Sequence, residues 1–154
     1  MVHAGASELD AGVRTVADEL EIRNLVARLA HLADGDDIDA YVDCFAVDGR
    51  WEHPSAPRRG HADIRAGRLE RVADGSVGPG SGTRHVATTV EVRLDGDRAT
   101  ARSTWLYVTG TAGAPVVAST GTYDDEFTRT GNGWRITVRH ITIDNDTTAP
   151  QEQP

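Results

Sequence analysis

GSVGPGSGTRHVATTVEV, residues 75–92, is where the chain changes period. Its first eight residues hold four glycines and a proline, and such a segment reads as a flexible loop. From Thr83 onward β-branched residues recur and the alternation is two, the period of a strand. Three long segments of this kind follow, at 83–94, 98–108 and 116–129, and a fourth at 134–143 closes the pattern. Asp95-Gly96-Asp97 and Gly131-Asn132-Gly133 are hairpin turns, and TGTAGAP (109–115) is a longer connection.

Upstream of the loop the apolar residues recur at helical spacing. From about residue 10 to 33, Val13, Val16, Ala17 and Leu20 make one stripe, which Ile22, Leu25, Val26, Leu29 and Leu32 continue. Gly35 is a helix stop. Asp37 caps a shorter helix in which Ile38, Tyr41, Val42 and Phe45 share a face. Asp48-Gly49 is a turn signal, and RWEH (50–53) is a short strand ended by Pro54. HADIRAGRLERV (61–72) is a third helix. Helices first and a strand meander after them define an α+β domain. A curved antiparallel sheet wrapped around the N-terminal helices would form a cone with an internal pocket. The single domain spans 13–144, with residues 1–12 as a flexible arm and 145–154 as a flexible tail.

The totals narrow the function classes. A net charge of −8, with arginines scattered rather than clustered, argues against a nucleic-acid partner. Arg58-Arg59, the adjacent basic pair, reads as a solvated turn. One cysteine, Cys44, excludes an internal disulfide and a cysteine-based zinc site, and reads as a small buried side chain. No apolar run approaches the roughly 20 residues of a membrane span, and the N-terminus lacks a basic-then-apolar leader pattern. A cytoplasmic location is the default expectation.

Chemistry must come from the histidines and the acids that meet them. His3 lies in the arm, His31 on the polar side of a helix, and His61 at a helix start. No histidine pair has the spacing of a helical metal site, and no metal or organic cofactor is implied. His53, His85 and His140 fall on predicted strands and could converge. Asp34, in RLAHLADGDD (28–37), has two readings. One is a helix-terminal carboxylate in a turn, although an anion is disfavoured at that end of the dipole. The other is a carboxylate that accepts a hydrogen bond from a histidine and fixes its tautomer. Trp51, Trp105, Tyr107 and Tyr123, all on strands, could line an apolar pocket with Phe45, or simply pack a core. Strand parity bears on His85. Val86, Val90, Val92 and Leu94 share a face of a regular strand, which puts His85 on the other. Either the pocket lies on the more polar face or a bulge re-aims the side chain.

The order of elements resembles the SnoaL-like branch of the nuclear-transport-factor-like superfamily over about residues 17–144. EIRNLVARLAHLADGDD, FAVDGRWEHP, Gly60–Ile64–Arg65, TRHVATTVEV, TGTYDDEF and GNGWRITVRHITID carry the resemblance together. Within that branch the chain is most similar to hexachlorocyclohexane dehydrochlorinase and more distantly to scytalone dehydratase. The resemblance implies a catalytic Asp34 and His85, with His85 as general base and Asp34 as its orienting partner. Arg139 falls on a pocket arginine. Similarity to ketosteroid isomerase over 26–54 breaks at the chemistry: Leu29 stands at the oxyanion tyrosine position and His53 at the base position.

The resulting expectation is a cofactor-independent lyase or isomerase. It would take a carbon-bound proton from a small, mostly apolar or polycyclic substrate. His53 and Arg139 would steady charge, and Trp51, Trp105, Tyr107, Tyr123 and Phe45 would shape the cavity. The alternatives are a polyketide-type cyclase, a non-catalytic small-ligand-binding protein and a dioxygenase small-subunit-like protein. A homodimer is expected, with a trimer as the alternative.

Overall fold

Two helices, two strands, a third helix and four long strands follow the loop-and-period pattern of the sequence. The computed structural model describes the backbone of residues 3–144 and the side chains of residues 7–144. The elements are α1 (His3–Asp34), α2 (Ile38–Asp43), β1 (Phe45–Glu52), β2 (Arg58–Arg59), α3 (Gly60–Ala73), β3 (Arg84–Asp95), β4 (Arg98–Thr109), β5 (Val116–Thr130) and β6 (Gly133–Ile143). The strands form one sheet in the order β2-β1-β6-β5-β4-β3. All neighbours are antiparallel except β1 and β6, which run parallel. Register shifts interrupt four of the five pairings, and such bulges bend and twist a sheet.

The helices fill the concave side. Ile22, Val26 and Leu29 of α1, Tyr41 and Val42 of α2 and Ile64 of α3 are buried against Phe127, Trp134 and Ile136 of the sheet. Each fully buried aliphatic or aromatic side chain contributes roughly 1.5–3 kcal/mol. Asp37 caps α2 by accepting the Ala40 N–H at 2.9 Å. Cys44 is a buried free thiol whose Sγ reaches the Ala40 carbonyl.

Three expectations about element limits are corrected. Helix α1 begins at His3, so the segment read as a flexible arm is helical over residues 3–12. Once the downstream turns exist, each further residue adds a hydrogen bond for one restricted backbone, and AGASELDAG offers no proline to stop it. The apolar stripe is also divided. Leu9, Val13, Val16 and Leu20 are all more than half exposed, and burial starts at Ile22. Periodicity reports a potential apolar face, but the sheet covers only the second half of this one. Phe45 leaves the α2 face and opens β1, because Ile136 N–H bonds to the Cys44 carbonyl and draws the chain into the sheet. The flexible tail expected at 145–154 lies outside the described residues.

The parity question on β3 has a local answer. Thr88 pairs with Thr104 and Glu91 with Arg102, so β3 carries one residue more than β4 between these pairs. Thr89 sits in this bulge at φ +51°, an unusual conformation for a β-branched residue. Its hydroxyl accepts the Thr104 N–H at 3.3 Å, replacing a ladder bond that the bulge removes. The extra residue reverses the alternation. Val90, Val92 and Leu94 pack on the core beyond the bulge, and His85 and Ala87 face the same concave side before it.

Candidate active site

The last turn of α1 and the first turn of the β3 ladder meet at two side chains that lie 51 residues apart. His85 Nδ1 stands 2.8 Å from Asp34 Oδ1. The His85 backbone N–H also donates to both carboxylate oxygens, at 3.1 Å each. A carboxylate only accepts, so Nδ1 carries a proton, and in the neutral ring Nε2 keeps its lone pair. Among the described residues, no hydrogen bond engages Nε2. The Asp34 side chain is 9% exposed and that of His85 19%, and Arg84 Nε lies 3.8 Å from Asp34. The negative end of the α1 dipole next to Asp34 is offset from another quarter. Arg68 of α3, 1% exposed, donates through Nη2 to the Gly35 carbonyl at 2.8 Å and the Leu32 carbonyl at 3.3 Å.

His85 borders a hollow between the helices and the sheet. The outer chamber encloses about 300 Å³ and its walls include Trp51, His53, Trp105, Tyr107, Ser119 and Ile143. A narrower inner end of about 50 Å³ reaches Leu29, Tyr41, Arg68 and Arg139. The two parts share Trp51, Arg71, Val77, His85, Tyr123 and Ile141. The size suits one small organic molecule. Tyr107 leans on the His85 ring with centroids 5.3 Å apart, and its hydroxyl donates to the Ser76 carbonyl, tying the glycine-rich loop to the wall. His53 stacks on Trp51 at 5.2 Å with nearly parallel rings, and Ser55 Oγ lies 3.0 Å from its Nδ1. Trp105 stacks on Tyr123 at 5.8 Å.

Trp105 lies flat across the sheet because its neighbour in register is Gly121. A Cβ at position 121 would come within 1.9 Å of the Thr142 carbonyl oxygen and 2.5 Å of the Trp105 ring. Gly121→Ala is therefore expected to destabilise the fold by about 3 kcal/mol. A urea midpoint unchanged from the parent would contradict this account of the Trp105 wall.

Several predicted site residues occupy other roles. Phe45 lines no part of the hollow; it is 1% exposed and packs in the core against Tyr41, 5.9 Å away. Tyr41, on the neighbouring turn, reaches the pocket instead. Arg139 does border the inner end, but its guanidinium is held in a two-point pair by Asp125, at 2.8 and 2.6 Å. Burial pushes the Arg139 pKa down; the Asp125 charge and hydrogen bonds more than offset this and leave it above the ordinary arginine value. Its Cζ sits 4.0 Å from the Tyr123 ring centre. Arg139 thus braces Tyr123 and is not a free anion holder. Burial pushes the Tyr123 hydroxyl up to about 12, so it stays protonated near neutral pH. His140 points away from the hollow and pairs with Glu52 on the exposed side. Among the described residues, no three His, Cys, Asp or Glu side chains gather as metal ligands, and no helix is long and apolar enough to cross a membrane.

Sequence reading missed Arg68 and Arg71. The signal was present: Ile64, Arg68 and Arg71 lie at i, i+4 and i+7 on one helix face, and Ile64 is core.

An α-helical layer on a bent sheet, with a mostly apolar hollow opened by one Asp-supported histidine, defines a class of small pocket proteins. The chain belongs to the SnoaL-like domain family, which matches residues 14–140. It is similar to a solved NTF2-like protein with a cystatin-like fold from Novosphingobium aromaticivorans, at 28% identity over 92% of both chains and a TM-score of 0.79. It is also similar to Rv3472 of Mycobacterium tuberculosis, a protein of unknown function. That match has 27% identity over 85% of this chain and 74% of the other, with a TM-score of 0.75. ActVI-ORFA from Streptomyces coelicolor shares the fold at 24% identity, with 82% and 97% of the two chains covered and a TM-score of 0.70. No curated protein matches the chain.

Proposed function

We propose that this protein is a cofactor-independent lyase or isomerase that uses His85 to remove a proton from carbon. The observation that carries the reading is the 2.8 Å contact between His85 Nδ1 and Asp34 at the wall of an open-mouthed, mostly apolar hollow. With Nδ1–H donated to the carboxylate, Nε2 is the available base. As the C–H bond breaks, its proton goes to Nε2 and its electron pair moves into a new carbon–carbon double bond. In an elimination the leaving group departs with the pair it shared with the neighbouring carbon. In a double-bond shift the same proton returns at another carbon. Asp34 steadies the imidazolium formed in either case, and the apolar walls strengthen that attraction by excluding water. Trp51, Trp105, Tyr107 and Tyr123 supply flat faces for an unsaturated or polycyclic substrate.

The test is hydrogen exchange in D2O, followed by NMR on a panel of cyclic ketones and β-hydroxy carbonyl compounds that fit the chamber. The native protein is expected to speed exchange or elimination in at least one member, and His85→Gln to remove the effect. A panel untouched by the native protein, or turned over equally by His85→Gln, overturns the reading.

A homodimer is the assembly we propose. The exposed stripe of Leu9, Val13, Val16 and Leu20 on α1 supports it, because an apolar helix face of that length favours a covered state. Sedimentation equilibrium is expected to give twice the chain mass at micromolar concentration; a monomer throughout would reject the assembly.

A further inference from the structure

Removing a proton from carbon leaves negative charge that some donor must hold, and most polar groups beside His85 are already engaged. Arg139 is paired with Asp125. The Tyr107 hydroxyl donates to the Ser76 carbonyl. Trp105 Nε1 and two of the Arg68 nitrogens are sealed from solvent, and hence from any ligand in the hollow. The third Arg68 nitrogen caps α1. His53 borders the outer chamber alone. Leu29, at the inner end, has no polar atom in its side chain.

Tyr123 is different. It is 9% exposed and borders both parts of the hollow, as His85 does. Among the described residues its hydroxyl makes no hydrogen bond, yet it is open to the hollow, unlike Trp105 Nε1. A hydroxyl at a buried site without a partner is costly, and phenylalanine would pack there without that cost. The ring is held in place: it stacks on Trp105 at 5.8 Å, and Arg139 Cζ lies 4.0 Å from its centre. Burial raises the hydroxyl pKa to about 12; Arg139 opposes the rise, and Tyr41, Asp125 and Asp34 add to it. The group therefore remains a neutral donor at working pH, and it lies within the field of the Asp34 carboxylate that supports His85. Arg71, over the Trp51 ring at 4.4 Å, is the unpaired cation that also borders both parts. It is only half-buried, and water beside a guanidinium weakens its hold on a developing charge, whereas a donor built into the wall keeps its strength.

We infer that the Tyr123 hydroxyl donates to a carbonyl oxygen of the substrate and holds the enolate formed when His85 takes the neighbouring proton. This rests on the proton-abstraction reading above, and it names the substrate class: a ketone or other carbonyl compound whose reacting C–H adjoins the carbonyl carbon, rather than an alkyl halide. The C–H proton goes to His85 Nε2. The C–H electron pair becomes the carbon–carbon double bond of the enolate, and the carbonyl π pair moves onto oxygen. The Tyr123 proton stays on Tyr123. When the carbonyl re-forms, the carbon–carbon pair either expels a leaving group from the β-carbon or, in a dienolate, takes the proton back at the γ-carbon. Tyr123 thus supplies from the sheet the donor that Leu29 cannot supply from α1.

The test compares the native protein, Tyr123→Phe and His85→Gln, each saturated with 1-tetralone carrying carbon-13 at its carbonyl. The bound carbonyl resonance is expected to lie further downfield in the native protein than in Tyr123→Phe, because the hydrogen bond polarises the carbonyl. For α-proton exchange in D2O, Tyr123→Phe is expected to lower kcat by about 10²- to 10³-fold, the usual loss with one such donor. KM should change little, since the bond strengthens as charge builds on oxygen. Phenylalanine keeps the ring against Trp105 and Arg139 and removes only an unpartnered hydroxyl, so the melting temperature is expected not to fall. A ketone that does not bind the native protein, one carbonyl position shared by the native and Phe proteins, exchange undiminished in Tyr123→Phe, or a lower melting temperature for that variant would each overturn the inference. His85→Gln is expected to keep the downfield resonance and lose the exchange. A downfield resonance in a native protein that exchanges no α-proton removes the base role of His85 and keeps Tyr123 as the carbonyl's donor; exchange without a difference in resonance does the reverse.

Discussion

His85→Gln is expected to lower proton exchange or turnover by about 10²- to 10⁴-fold, the usual contribution of a positioned general base. Glutamine fills much of the same space but offers no basic nitrogen. Asp34→Asn is expected to act through His85. An amide can donate to Nδ1, which favours the tautomer with its proton on Nε2 and occupies the lone pair the reaction needs. Its carbonyl oxygen can still accept the His85 backbone N–H, so the link between α1 and β3 survives. Circular dichroism and the melting temperature should therefore change little while the rate falls at least tenfold. A rate retained by Asp34→Asn would leave the carboxylate as a turn residue, and the polar contact as a feature of folding alone.

The second large effect concerns stability. Arg139→Met is expected to cost about 3–5 kcal/mol, because it leaves the Asp125 carboxylate buried without a partner. It also removes the cation that packs on Tyr123, so the inner wall should loosen. Arg139→Met combined with Asp125→Leu is expected to recover most of that loss, since a hydrophobic pair of similar volume escapes the desolvation of two ions. Chemical denaturation of the parent, both single variants and the double variant closes the cycle. Additive losses would show that the pair is not coupled, and would contradict the reading of Arg139 as held by Asp125.

These two sites differ in how far sequence reading reached them. Asp34 and His85 were found through the resemblance of ADGDD and TRHVATTVEV to known enzymes, because each residue sits beside a recognisable landmark. Arg139 was found the same way, but its partner was not. Alternation in TGTYDDEF puts Asp125 on the face of Tyr123 and Phe127, but only the strand register sets it opposite Arg139. Asp125 is 2% exposed, whereas Asp124 lies on the opposite face beside Arg102. Arg68 escaped notice because an arginine on an amphipathic helix is ordinarily a solvated residue. Only the closing of α3 over the end of α1 takes it out of water.

The sequence by itself determined the kinds of element and their order. A period near 3.6 before residue 75 and a period of two after residue 83 leave one α+β arrangement, with turns where glycine and aspartate stand. It also determined where the candidate acid and base lie along the chain. Tertiary structure alone decided which side of β3 carries His85, since the one-residue bulge at Thr89 reverses the alternation and leaves no mark in a period count. It decided that Phe45 joins a strand, that half of α1 extends beyond the sheet, and that Arg68 is buried. The common reason is that local pattern reports which faces are available. Contacts between segments far apart in the chain decide which of them are used.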